Sequence, residues 1–186
     1  MRKLFSIAVI ILALCAVAQM ASAQDKTATA TTQITATKGE TLSVAAVTTN
    51  GAFDLDGVLS SQTANVAITT TWNLKPLRAT NVWVCATMPN PMAGNTGNGD
   101  SIPQSKINAK PNSGSYGSID ATISNCGLTK GVLVNTYPLS PSTQANHKNI
   151  SKADTLSVQL NLTAADVTAL QPDTYTGTIN IVAYTN

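Results

Sequence analysis

The alternation that decides the fold of this chain runs through residues 64–74, ANVAITTTWNL. One parity of this segment is apolar or β-branched: Val66, Ile68, Thr70 and Trp72. Successive side chains of a β-strand point to opposite faces, so the pattern is typical of a strand with one buried face. Residues 155–163 alternate in the same way. Both segments therefore predict strands that cover a hydrophobic core.

Shorter strand candidates and turn signals fill most of the remaining chain. The candidates are residues 42–47, 80–88, 116–124, 131–137 and 174–184. Asn50-Gly51 favours a tight hairpin. Residues 89–111 are rich in Asn, Gly and Pro and predict a long loop. Residues 164–170 allow a single helical turn. Seven or eight short strands without an amphipathic helix predict one all-β domain, a sandwich or barrel.

The first 23 residues have the three parts of a secretory signal peptide. Arg2 and Lys3 are followed by an apolar run of about 14 residues and by the small-residue pattern Ala21-Ser22-Ala23. A helix that spans a membrane needs about 20 residues, so a retained anchor is the weaker alternative. We expect cleavage before Gln24, no membrane span afterwards, and secretion to the periplasm or cell surface.

Cleavage removes two positive charges, so the eleven basic side chains fall to nine, against nine acidic ones. No Lys/Arg cluster is present in the sequence, which argues against nucleic acid and anionic membranes as partners. Charged residues make up 11% of the chain, compared with roughly 25% in typical soluble domains. A Thr-rich, weakly charged chain is typical of an extracellular β protein.

Two cysteines, Cys85 and Cys126, remain after cleavage and predict one disulfide in an oxidising compartment. A loop of about 41 residues closed in this way contributes on the order of 4 kcal/mol. A redox or metal pair is the alternative, but the sequence has no C-x-x-C. Cys15 in the leader allows a lipoprotein, although Leu14 stands where a small residue is expected.

Candidate catalytic and metal-binding residues are few. His147, the only histidine, lies in a polar segment and is expected to be a solvated loop residue, and no G-x-S-x-G is present. We therefore expect no enzyme and no cofactor, with a hydrolase kept as an outlier. Asp54 and Asp56 allow a calcium site, but Asp56-Gly57 favours a turn, so no metal is expected.

The two tryptophans differ in their parity. Trp72 shares its face with Val66 and Ile68 and is expected in the core. Trp83 alternates with Val82 and Val84, so it is a candidate contact for a partner, a ligand or a glycan.

The segment LQPDTY, residues 170–175, resembles the corner sequence of immunoglobulin-like and fibronectin type III-like domains. The resemblance implies that the hydroxyl of Tyr175 bonds to the backbone just upstream. Residues 175–184, YTGTINIVAY, resemble the closing strand of secreted bacterial pilin-like and spore-coat-U-like surface proteins. Together they imply an immunoglobulin-like Greek-key β-sandwich over residues 41–186.

In that group an incomplete sandwich accepts a strand from the N-terminal extension of a neighbour. Here the extension is the Thr/Ala-rich segment 24–40, which is alternatively the domain's own edge strand or a tail. Most of its apolar side chains are single methyl groups. The apolar residues are Ala28, Ala30, Ile34 and Ala36. The expected function is a non-enzymatic structural or adhesion-type surface protein, fimbrial-like, that acts through edge strands and loops. The alternative is a carbohydrate- or ligand-binding module that uses residues 89–111 and Trp83.

Overall fold

The computed structural model describes residues 39–49, 51–75, 79–97, 99–140 and 146–185. One compact unit extends from Gly39 to Asn186. The predicted leader, and residues 24–38 of the predicted extension, lie outside the described residues.

Eleven strands and one short α-helix lie in the described part of the chain. The strands are β1 (Thr41–Thr49), β2 (Ala64–Asn73), β3 (Asn81–Thr87), β4 (Met92–Gly94), β5 (Ser101–Ile102), β6 (Ile107–Pro111), β7 (Gly117–Ser118), β8 (Val132–Pro138), β9 (Ile150–Leu160), β10 (Tyr175–Thr176) and β11 (Asn180–Thr185). Helix α1 is Ala164–Ala169, and 3₁₀ turns occupy Leu59–Ser61 and Gln104–Lys106. The strand orders in the three sheets are β1-β2-β9-β6-β7, β11-β3-β8 and β10-β4-β5. All strand pairs are antiparallel, so the all-β prediction is confirmed.

The core lies between the five-stranded sheet and the β11-β3-β8 sheet, whose central strand is β3. Alternate residues of β2 and β9 are buried, as the sequence pattern predicts, and Val66 lies opposite Leu156 across the ladder. From β3, the side chains of Val82, Val84 and Ala86 are fully buried. Each Val, Leu or Ile buried in this way stabilises the fold by about 1.5–3 kcal/mol.

Three details of the predicted strand pattern are wrong. Strands β1 and β2 do pair, but β1 ends at Thr49 and β2 begins only at Ala64, so a two-residue turn does not join them. Phe53 and Leu55 in this connection pack against the core, which a two-residue loop would leave open.

The other two differences concern short strands. Residues 116–124 hold only the two-residue β7, because Ile119 turns into the core and the chain then leads to Cys126. Residues 174–184 divide into β10 and β11, which belong to different sheets. Pairings of two or three residues are set by tertiary contacts and leave little periodicity in a sequence.

Gly131, which directly precedes β8, is a position where a side chain cannot be accommodated. Its φ is +150°, and a Cβ there would overlap the carbonyl oxygen of Ala86. We expect Gly131→Ala to lower the free energy of unfolding by about 2–4 kcal/mol in a urea titration. Gly117→Ala is the matched control, because its Cβ would meet nothing within 4 Å. Equal losses in the two variants would contradict the proposed clash.

Candidate functional site

Tyr175 forms a corner between two of the sheets. Its hydroxyl donates to the carbonyl oxygen of Gln171 at 2.9 Å, which is the bond that the family resemblance implies. Its strand, β10, pairs with β4, whereas the following β11 pairs with β3. The chain therefore changes sheets within residues 177–179.

Asp173 fixes the loop that faces this corner. One of its carboxylate oxygens accepts from the backbone N–H and the hydroxyl of Thr96, at 3.0 and 2.7 Å. These bonds favour the ionised carboxylate and lower the pKa of Asp173. Asp100 accepts in addition from the N–H of Gln171. The long 89–111 segment is thus joined to the corner.

An open groove lies between β1 and residues 177–179, where the two main sheets do not close over the core. Its cavity has a volume of about 310 Å³. Ala46 and Thr48 have the inward parity of β1 but are exposed, whereas Val44 on the same face is half-buried. Much of the lining is apolar: Val66, Met88, Met92, Val158, Leu160 and Ile179. We call this cavity the open groove.

The open groove continues toward the tyrosine corner. A second cavity of about 280 Å³ shares Phe53, Met92 and Leu160 with it and reaches Tyr175. Gly177 lies at the junction, where an added Cβ would overlap the side chain of Met88 and lie 2.7 Å from Met92 Cγ. The absence of a side chain at residue 177 therefore allows the backbone to approach the methionines.

Strand β1, which lines the open groove, and β11, which follows residues 177–179, are each at the edge of their sheet. In the described residues, β1 pairs with β2 and β11 pairs with β3, and neither has a second partner. An unpaired edge presents backbone N–H and C=O groups that can bind another strand. The open groove thus reaches core side chains beside an edge of β1 that pairs with no other described strand.

Trp83 lies on the outer face of the β11-β3-β8 sheet. Its ring and that of Tyr184 are 5.9 Å apart between centroids, and their planes differ by 7°. The segment 89–111, predicted to be a loop, forms β4, β5 and β6 and pairs with β9 and β10, so the loop prediction is wrong. Trp72 is buried as predicted, and its Nε1 donates to the carbonyl of Asn146 at 2.6 Å.

The expectation that His147 is solvated is wrong, because its side chain is fully buried. Its carbonyl accepts from the N–H of Leu74 at 2.7 Å, which draws the loop backbone against the end of β2. Within the described residues, neither ring nitrogen has a hydrogen-bond partner. The structure thus shows no acid or nucleophile bonded to this imidazole.

Asp54 and Asp56, the carboxylates considered for metal binding, lie in a turn that Asp54 stabilises. Asp54 Oδ1 accepts from the N–H of Asp56 at 3.1 Å, and the Asp54 carbonyl accepts from the N–H of Gly57. Among the residues that the structure describes, no group of three or more His, Cys, Asp or Glu could hold a metal ion. No helix in the same ranges is long and apolar enough to cross a membrane.

Asp154 is the centre of a buried polar network that joins β8 and β9. It is 6% exposed and accepts from the Tyr137 hydroxyl at 2.6 Å. The side-chain amides of Asn135 and Asn112 donate to its other oxygen at 2.7 and 3.0 Å. Burial, followed by the hydrogen bond and negative charge of Asp154, raises the pKa of Tyr137. The network connects the two main sheets.

The predicted disulfide between Cys85 and Cys126 is present. Comparison of the chain with models of known families, with curated proteins and with solved structures finds no match. What the chain does must therefore be inferred from its own residues.

Proposed function

We propose that this chain is an exported, non-enzymatic structural protein of the cell surface, whose immunoglobulin-like sandwich is completed by a β-strand from a second copy. The open groove is the observation that carries this proposal. A strand placed there lies along the edge of β1 and packs against core side chains such as Val66 and Val158. Strand addition of this kind gains both backbone hydrogen bonds and apolar burial.

The proposed donor is the segment 28–36, which lies before the described residues. Its even positions carry Ala28, Ala30, Ile34 and Ala36, interrupted by the polar Thr32. Small donor side chains suit this cavity, because Met88 and Met92 already occupy much of its base and can adjust their shape. Ile34 has the largest of these side chains and therefore contributes most of the burial, at about 0.8 kcal/mol per CH₂.

Export is supported by two independent features. The first 23 residues have the pattern of a cleavable leader. The disulfide between Cys85 and Cys126 is consistent with an oxidising compartment. A weakly charged surface also leaves edge strands with few like-charge barriers to association.

Self-association is tested by electrophoresis of the mature chain in SDS, unheated and boiled. We expect an SDS-resistant ladder that collapses to one band on boiling and is absent when residues 24–38 are deleted. Ile34→Lys is expected to abolish the ladder, because it places a charge in an apolar cavity. Thr35→Lys, on the opposite parity, is expected to retain it. A single band in both lanes for the unaltered chain would refute strand exchange.

The shortened chain also provides a direct binding test. A synthetic peptide of residues 24–38 should raise its melting temperature, since a ligand that binds only the folded state stabilises it. The same peptide with Ile34→Lys should have no effect, and the Thr35→Lys peptide should act like the natural one. Equal effects of the two substituted peptides would show that the donor parity is wrong.

A further inference from the structure

The Trp83–Tyr184 pair lies on the side of the β11-β3-β8 sheet that faces away from the open groove. Val82 and Val84, the chain neighbours of Trp83, are fully buried, so Trp83 points away from the core. Tyr184 lies directly opposite Trp83 across the ladder and is 42% exposed. The two rings are nearly parallel and form one aromatic unit. Strand addition at the open groove leaves this outer face uncovered.

The surroundings hold these rings in place. Cys85, two residues along β3 from Trp83, is tied by the disulfide to Cys126. The next residue, Gly127, has a φ of +67°, and an added Cβ would lie 3.9 Å from Tyr184 Cε2. The disulfide-linked turn therefore lies beside the Tyr184 ring. A preordered aromatic surface loses little conformational freedom when a ligand binds.

The aromatic unit is too small to be a protein interface. In the described residues, the exposed large hydrophobic side chains are Val47, Val58, Tyr116 and Tyr184, and of these only Tyr184 belongs to the β11-β3-β8 sheet. A stable protein interface needs about 800 Å² on each partner. One or two aromatic rings instead match the area of a single small ring-shaped ligand.

The outer face around the rings carries the apolar Val182 and several polar, uncharged side chains. Thr136 lies opposite Trp83 on β8, and Asn81 is two residues before it on β3. Asn180 shares the outer parity of Tyr184 on β11 and is exposed. An aromatic surface bordered by hydroxyl and amide groups suits a ligand that has a flat C–H face and a rim of hydroxyl groups.

We propose that Trp83 and Tyr184 form a stacking site for a pyranose ring of a neutral β-linked oligosaccharide. The C–H face of the sugar lies on the exposed Tyr184 ring, which Trp83 supports. Its hydroxyl groups reach the neighbouring threonine and asparagine side chains. The site uses neither the open groove nor residues 89–111. A chain that self-associates would then display one such site for each copy, which gives weak sites a high combined affinity.

Fluorescence titration of the mature protein tests this site. Trp72 is 2% exposed, so a sugar-dependent change reports on Trp83. The probes are cellohexaose, chitohexaose and β-mannohexaose. We expect at least one of them to shift and quench the emission with a Kd tighter than about 1 mM. No change with any of the three would overturn the proposal.

Variants separate stacking from other effects. Tyr184→Ala should weaken binding about tenfold or more, because it removes the ring on which the sugar lies. Tyr184→Phe should keep most of the affinity. Tyr116→Ala, which removes an exposed tyrosine just before β7, should keep all of it. Thermal melting of each variant confirms folding. Unchanged binding in folded Tyr184→Ala would overturn the site, as would equal losses in Tyr184→Ala and Tyr116→Ala.

Discussion

Asp154→Ala is expected to lower the free energy of unfolding by about 3–5 kcal/mol, the range observed when one partner of a buried polar or charged network is removed. The physical reason is that the donors remain buried after their acceptor is lost. The hydroxyl of Tyr137 and the amides of Asn135 and Asn112 all donate to this carboxylate. Each group left without a partner costs about 1–3 kcal/mol. Urea titration measures the loss.

Two observations would separate this network from a general effect of removing a carboxylate. Asp120→Ala removes a carboxylate that pairs with the exposed Lys130, and should cost at most about 1 kcal/mol. In Asp154→Ala the pKa of the Tyr137 phenol should also fall toward its ordinary value, because the negative charge and the accepted hydrogen bond are both gone. Ultraviolet titration follows this phenol. Equal losses in the two variants would contradict a special role for Asp154.

Removing the disulfide is expected to have the other large effect. The double variant Cys85→Ala, Cys126→Ala should lose about 4 kcal/mol, because an unfolded chain without a 41-residue loop has more conformations. For a domain of this size the melting temperature should fall by roughly 8–16 °C. Calorimetry with and without reductant provides the measurement.

Reductant supplies the control for this prediction. Dithiothreitol should lower the melting temperature of the natural chain to about that of the double variant, and should leave the double variant unchanged. If the reduced and oxidised natural chains melted at the same temperature, the disulfide would not be a source of stability.

Long segments with clear periodicity could be predicted from the sequence. Alternation identified β2 and β9, and valines at alternate positions identified β3 and placed Trp83 on the opposite parity. The pairing of Cys85 with Cys126 could be predicted because they are the only cysteines outside the predicted leader. Strands β4, β5, β7 and β10 have two or three residues each, so their existence depends on which distant strand passes beside them.

The candidate sites show the same limit. The Tyr175 corner depends on a bond to a residue only four positions away, so local sequence reveals it. The open groove depends on where two sheets fail to meet, which no local pattern contains. The burial of His147 depends on a loop that a backbone hydrogen bond from Leu74, the residue after β2, holds in place. Asp154 did leave a signal, because its carboxylate stands on the same parity as Leu156 and Val158.

Because of the open groove, the free energy of unfolding of this protein depends on its concentration under the proposed strand addition. Under the proposed strand addition, folding and assembly share one equilibrium. The donor strand is then a ligand of the folded state, and its stabilising effect grows with the logarithm of its concentration. A dilute chain and a crowded one would have different unfolding free energies with identical intramolecular contacts. The stability of the fold thus becomes a property of the population of chains rather than of each molecule alone.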